Sequence, residues 1–189
     1  MGLDMYLEAE RYASGYRHSG DEDKRIFNAV LDVLALRDVV DPNSRSAKIR
    51  VTVAYWRKAN AIHRWFVEHV QDGTDDCGDY YVTHDQLKEL RDTCVKALEV
   101  ADISEKQPVH NGTSWDAEGQ HEHFVEGRAA LNGEALAAIL PTERGFFFGS
   151  TDYDEWYFRD LEYTIEQIDR VLTNVPDGWG WSLYYHSSW

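Results

Sequence analysis

Basic charge is scarce in this chain. Nineteen Lys and Arg stand against 34 Asp and Glu, for a formal net charge of −15. Such a surface repels phosphates, so neither direct nucleic-acid binding nor attachment to an anionic membrane is expected. Solubility, a basic protein partner, or imitation of a nucleic acid's charge remain. The last would need carboxylates spaced regularly along one face. Cysteine is also scarce: Cys77 and Cys94 are the only two, too few for a disulfide framework. Residues 1–12 carry acids and lack the apolar segment of a secretion signal, and Tyr6 stands where a myristoylation site wants Ser or Thr. No apolar run approaches the length of a membrane span. The expectation is a reducing bacterial cytoplasm, two free thiols, and an idle Asn111-Gly112-Thr113 sequon.

Rings, by contrast, are plentiful. Seven Trp and eleven Tyr in 189 residues suggest a core or binding surface built from rings with polar edges. A hydrophobic content of 43% is enough to bury the core of a single domain spanning 1–189.

Strand and helix signals alternate along the chain. Leu3, Met5 and Leu7 interleave with Asp4, Tyr6 and Glu8, which predicts a half-buried strand. Asp21 or Asp23 would cap a helix with Ile26, Val30, Val33 and Leu34 at helical spacing. Residues 48–55 alternate as a second strand. Ala59, Ile62, Phe66 and Val70 then form a core stripe, with Trp56, Asn60, His63 and Val67 beside it. Thr83 and Gln86 fit a capping box for a helix burying Leu87, Leu90, Cys94 and Ala97. Residues 103–127 are polar and show no period, which predicts a mobile excursion. A short helix is expected over 128–140. Gly145 to Gly149 reads as a buried turn, and Ser150, Thr151 or Asp152 would cap a long helix with Phe158, Leu161, Ile165, Ile168 and Leu172 inward and Glu155, Asp160 and Glu162 facing water. Residues 181–189 close the chain as a strand. The predicted class is α+β: a small, mostly antiparallel sheet with about five helices packed on one face.

Four groups could carry chemistry. Arg57, Asn60 and His63 offer an anion fork, a two-way hydrogen bonder and a proton shuttle at the start of one helix, a place that itself favours anions. Trp56, Tyr80 or Tyr81 could stack on a ligand ring. Cys77 would be a nucleophile only beside a base such as His63, and its neighbouring carboxylates oppose a thiolate. That acidic loop lacks EF-hand spacing. His110, His121 and His123 lack the company of a recognised metal motif, so no metal site and no cofactor is expected. Ser150 and Thr151 could hold an anion or simply cap; the glycine spacing and lysine of a phosphate-binding loop are missing. The candidate ligand-binding set is Trp56, Arg57, Asn60, His63, Tyr80, Tyr81, Ser150 and Thr151, with His63 the candidate catalytic residue.

Five stretches carry a family resemblance: Met1 to Leu7, Tyr55 to His63, Asp76 to Val82, Leu140-Pro141-Thr142 with Gly145 to Tyr157, and the closing Tyr184-Tyr185 and Ser188-Trp189. In these the chain resembles a family of small bacteriophage- and prophage-encoded proteins of no known activity. The resemblance implies a phage or prophage origin. It also suggests that the Arg57–His63 helix, the Cys77 loop and the Ser150 turn meet in one site.

The functional expectation is a cytoplasmic accessory protein that acts by binding. Its partner would be a host or defence protein met through an acidic, aromatic surface, or a small anionic ligand, in the service of host takeover or counter-defence. The alternative is a small enzyme acting on a phosphorylated or nucleotide-like metabolite through Arg57, Asn60 and His63.

Overall fold

A computed structural model describes residues 2–145 and 148–189. The main sheet holds β1 (Asp4–Ser14), β2 (Ser46–Arg57), β6 (Trp181–Ser188) and β3 (Tyr80–Val82), in the order β2-β1-β6-β3 with every neighbour antiparallel. Helices α1 (Asp21–Val33), α2 (Asn60–His69), α3 (His84–Val100), α4 (Gly133–Ala137) and α5 (Glu155–Asn174) lie between the strands. The α+β class expected from sequence is therefore present.

Period-two alternation in β1 places Leu3, Met5, Leu7 and Ala9 in the core. They meet Ile62 and Phe66 from α2, Leu87, Leu90 and Cys94 from α3, and Phe158, Leu161 and Ile168 from α5, all completely buried. The outward residues pack on one another. Tyr6 stacks on His186 at 4.7 Å, and the Arg50 guanidinium lies 4.7 Å over the Tyr184 ring. A bulge at Leu7/Glu8 leaves Val53 as an extra residue in β2, and Arg170 takes its carbonyl at 2.8 Å.

Several local expectations change. Trp56 belongs to the end of β2, not to the helix: its ring is buried and Nε1 donates to Thr164 Oγ1 at 3.0 Å. On α1 the buried residues are Phe27 and Leu31, while Val33 and Leu34 are exposed; Gly20 stands at its N-cap. The helix packs only a small satellite core with Ala13. The 103–127 segment forms a hairpin, β4 (Gln107–Asp116) and β5 (Gly119–Gly127). Both of its faces are largely exposed, so the sequence carries no burial period. The expected 128–140 helix shrinks to the five residues of α4. Asp154, not Ser150, Thr151 or Asp152, caps α5: Oδ1 accepts from Trp156 N at 2.9 Å. Glu155 does not face open water but accepts from Arg128. In the predicted Gly145–Gly149 turn, Phe148 is buried, and Phe146 and Phe147 lie outside the described residues.

Candidate functional site

The sharpest feature of the chain trace is the step from β2 into α2. Lys58 adopts φ +60°, unusual for a residue with a side chain, and its N–H donates to Leu3 O at 2.8 Å. Ala59 follows at φ −76°, ψ 68°, an inverse γ-turn closed by Asn60 N donating to Lys58 O at 2.9 Å. This corner leaves the Arg57 and Lys58 side chains exposed while Ala59 and Asn60 turn inward. Gly149, at φ +91°, lies against it: a Cβ there would sit 3.2 Å from Lys58 Cβ, so a side chain would meet both strain and crowding.

Asn60 fastens the facing loop. Nδ2 donates to Phe148 O at 3.0 Å and Ser150 O at 2.7 Å, and Oδ1 accepts from Glu143 N at 3.1 Å. Within the loop, Thr142 Oγ1 donates to Thr151 O at 3.0 Å, and Ser150 and Asp152 bond to each other. Between the corner, the loop, the start of α5 and the base of the hairpin lies a cleft of about 640 Å³. Its lining includes Arg57, Lys58, Asn60, Ser150, Asp154 and Asp160. The hairpin contributes His110, Asn111 and Gly112 where β4 bulges, and Trp156 Nε1 holds that bulge by donating to His110 O at 3.0 Å.

The cleft lining carries charges of both signs. Arg57 is well exposed, with Asp4 as a loose neighbour at 3.9 Å. Lys58 forms no ion pair among the described residues. The loop and α5 contribute Asp152, Asp154 and Asp160 to the same lining. Asp154 is only 4% exposed; Oδ1 is used in capping, and Oδ2 has no hydrogen-bond partner. Burial raises the Asp154 pKa. Burial, aided by the neighbouring Asp154 charge, raises Asp160 further, to about 7.

The eight sequence candidates therefore divide. Arg57, Asn60, Ser150 and Thr151 line the cleft; Trp56, His63, Tyr80 and Tyr81 do not. His63 is completely buried. Its Nδ1 meets the Tyr185 hydroxyl at 2.8 Å, and Nε2 lies 3.2 Å from Asp75 Oδ1, close enough for an ionic contact but outside hydrogen-bond geometry. Burial outweighs that carboxylate and lowers the His63 pKa. Asn60 spends its amide on the loop. The expected Arg57–Asn60–His63 catalytic trio is therefore not assembled. Tyr80 donates to Asp76 Oδ1 at 3.0 Å, and Tyr81 is exposed on the edge strand. Cys77 is exposed, and buried Cys94 is pushed up to about 12 by desolvation, an inert core thiol.

Sequence reasoning missed Asp154 and Asp160. Their one signal was the Asp152-x-Asp154 pair just ahead of a helix carrying Asp160, which read as solvent charge. It also missed Glu8, Asp79 and His186, whose ligand atoms lie within 4.8 Å of one another. Arg50 Nη1 already meets both of those carboxylates, at 3.4 and 2.6 Å, so a guanidinium is the cation at that cluster. His110, His121 and His123 join no such set among the described residues.

No protein-family model, curated protein or solved structure matches the chain. Among the described residues, no helix is long and apolar enough to cross a membrane.

Proposed function

We propose that this protein acts by binding, and that the cleft takes a small polar ligand whose anionic group is met by Arg57 and Lys58. One observation carries the reading. Two adjacent cations, one held at a positive φ, stand over a cleft of ligand size, with the first turn of α2 beside them. A backbone held in a sparsely populated conformation needs surroundings that fix it, and such positions cluster at binding sites. Ser150 and Thr151 add hydroxyls at the same edge.

The phage or prophage origin implied by the resemblance supplies the setting, an accessory role in host takeover or counter-defence. A second surface suits a host or defence protein. The β4–β5 hairpin exposes Trp115 at 74% and Phe124 at 56%, among Asp116, Glu118, Glu122 and Glu126. Exposed rings rimmed by charge are a common form of protein contact.

Native mass spectrometry of the protein purified from cells tests the cleft. The expected result is a small molecule retained by the wild type, lost on denaturation, and absent from an Arg57→Ala, Lys58→Ala double variant that remains folded. A wild-type chain that carries nothing, and that takes up no anionic metabolite offered in excess, would overturn the reading.

A further inference from the structure

The carboxyls that line the cleft are unexplained by an anionic ligand alone. Asp154 Oδ2 is buried and has no partner. The Asp160 side chain takes part in no hydrogen bond or ion pair among the described residues, although it lines the same cleft. A buried carboxylate oxygen without a donor is costly, and native structures pair such groups. Capping explains Asp154 Oδ1 but not Oδ2, and it explains nothing about Asp160. Asp154 Oδ2 awaits a donor that the polypeptide does not supply, and the half-buried Asp160 carboxyl is near enough to feel its charge.

A metal ion is one such donor, but the geometry disfavours it. Among the described residues no three ligating groups converge in this cleft. A resident ion needs several ligands at short range. An ammonium group needs less: its three N–H bonds can serve carboxyl oxygens on two residues at once. The two kinds of charge also come from different walls of the cleft: Arg57 and Lys58 from the β2–α2 corner, Asp154 and Asp160 from the N-cap and first turns of α5.

We infer that the ligand is a zwitterion of the amino-acid type, its carboxylate against Arg57 and Lys58 and its ammonium against Asp154 and Asp160. This rests on the cleft being a ligand site. It adds that the site reads a cation and an anion together and passes over molecules bearing only one of them. Burial and the neighbouring Asp154 charge let the Asp160 carboxyl keep its proton up to about pH 7. A bound ammonium replaces that proton as the source of positive charge.

Calorimetric titration of the full chain tests the inference. The probes are L-serine, L-glutamine, L-phenylalanine and 4-aminobutanoate, each matched with the same acid lacking its amine, together with inorganic phosphate with and without magnesium. At least one zwitterion is expected to bind about tenfold or more tightly than its deaminated match. Asp160→Asn and Asp154→Asn should each remove that preference. Asn is itself a good N-cap, so the Asp154→Asn chain keeps its α5 start, and circular dichroism checks this. If the deaminated acids bind as tightly as the zwitterions, depend on Arg57, and ignore both Asp substitutions, the zwitterion is wrong and the anion-binding cleft stands. If phosphate binds only with magnesium, the carboxyls hold a metal and the inference falls. If no probe binds and the protein from cells is bare, both readings fall.

Discussion

The Tyr185 hydroxyl stands 2.8 Å from His63 Nδ1, a bond that spans 122 residues and ties the last strand to α2. Both residues are completely buried. Burial holds the Tyr185 hydroxyl protonated, and on the other side of the ring Nε2 lies 3.2 Å from Asp75 Oδ1. Trp189 Nε1 donates to the same Asp75 oxygen at 3.2 Å, which draws the chain end and the 71–79 loop into one cluster. Tyr185→Phe would leave Nδ1 buried without a hydrogen-bond partner. A loss of about 1–3 kcal/mol is expected, read as a lower urea midpoint.

The same histidine sets an acid limit. Its folded pKa lies below the ordinary 6.5, so the unfolded chain binds a proton that the folded chain resists. Its contribution is complete above pH 6.5 and is lost as the pH falls below that value. NMR of the His63 ring should show it less than half protonated at pH 6.5, where a free histidine is half protonated. A midpoint at or above 6.5 would mean that Asp75 outweighs burial.

Asn60 holds the 142–152 loop against the β2–α2 corner through three bonds to backbone groups. Asn60→Ala orphans them and should cost on the order of 2–3 kcal/mol. Asn60→Asp should be worse than Ala, because a carboxylate would face two carbonyl oxygens at 5% exposure with no donor to offer them. Denaturant midpoints of the two variants decide the order. Equal losses would mean that the loop moves to relieve the clash.

Local rules made some of this legible. Thr83 and Gln86 form both bonds of the capping box, because that motif needs only four consecutive residues. The α3 stripe and Phe158, Leu161 and Ile168 of α5 are buried where their spacing places them, while Ile165 and Leu172 are only half-buried because the inward face of α5 turns toward Thr164, Gln167 and Val171. Arg57, Asn60, Ser150 and Thr151 do share one cleft, but Asn60 reaches Ser150 across 90 residues, a meeting that no period encodes. The hairpin was hidden because a strand exposed on both faces has no hydrophobic alternation. His63 was misjudged for the opposite reason: a polar residue on the core face of a helix looks functional until its buried partners are known. Asp160 looked like solvent charge because its neighbour in space, Asp154, is a cap.

Asp160 makes the fold less stable as the pH rises. Its pKa climbs from 3.8 in the unfolded chain to about 7 in the fold, so the folded chain holds more protons between those values. The sign follows: its favourable contribution is complete below about pH 4 and is lost as the pH rises through 7. Asp160→Asn should therefore match the wild type near pH 4 and exceed it at pH 8 by about 1–3 kcal/mol. Urea unfolding of both chains across that range measures the difference. A variant weaker than the wild type at pH 8 would mean that the ionised carboxylate has a donor in the folded state.

Glu155 works in the opposite direction. Arg128 donates to it from Nε at 2.9 Å and from its backbone N–H at 3.0 Å, and Arg159 donates from the next turn at 2.9 Å. These donors, led by Arg128, lower its pKa from 4.5 to about 2. Arg128 follows directly on β5, so the pair pins the foot of the hairpin to the first turn of α5, next to the cleft. The stabilisation is complete above pH 4.5 and is lost as the pH falls through about 2. Glu155→Gln keeps an acceptor but gives up the charge. It should cost about 1–2 kcal/mol at pH 7 and progressively less below pH 4. Hydrogen exchange should place the loss locally, with faster exchange at Val109 and Val125 near the hairpin foot than in α3. Uniform acceleration across the chain would show that the pair supports the whole fold and not the hairpin alone.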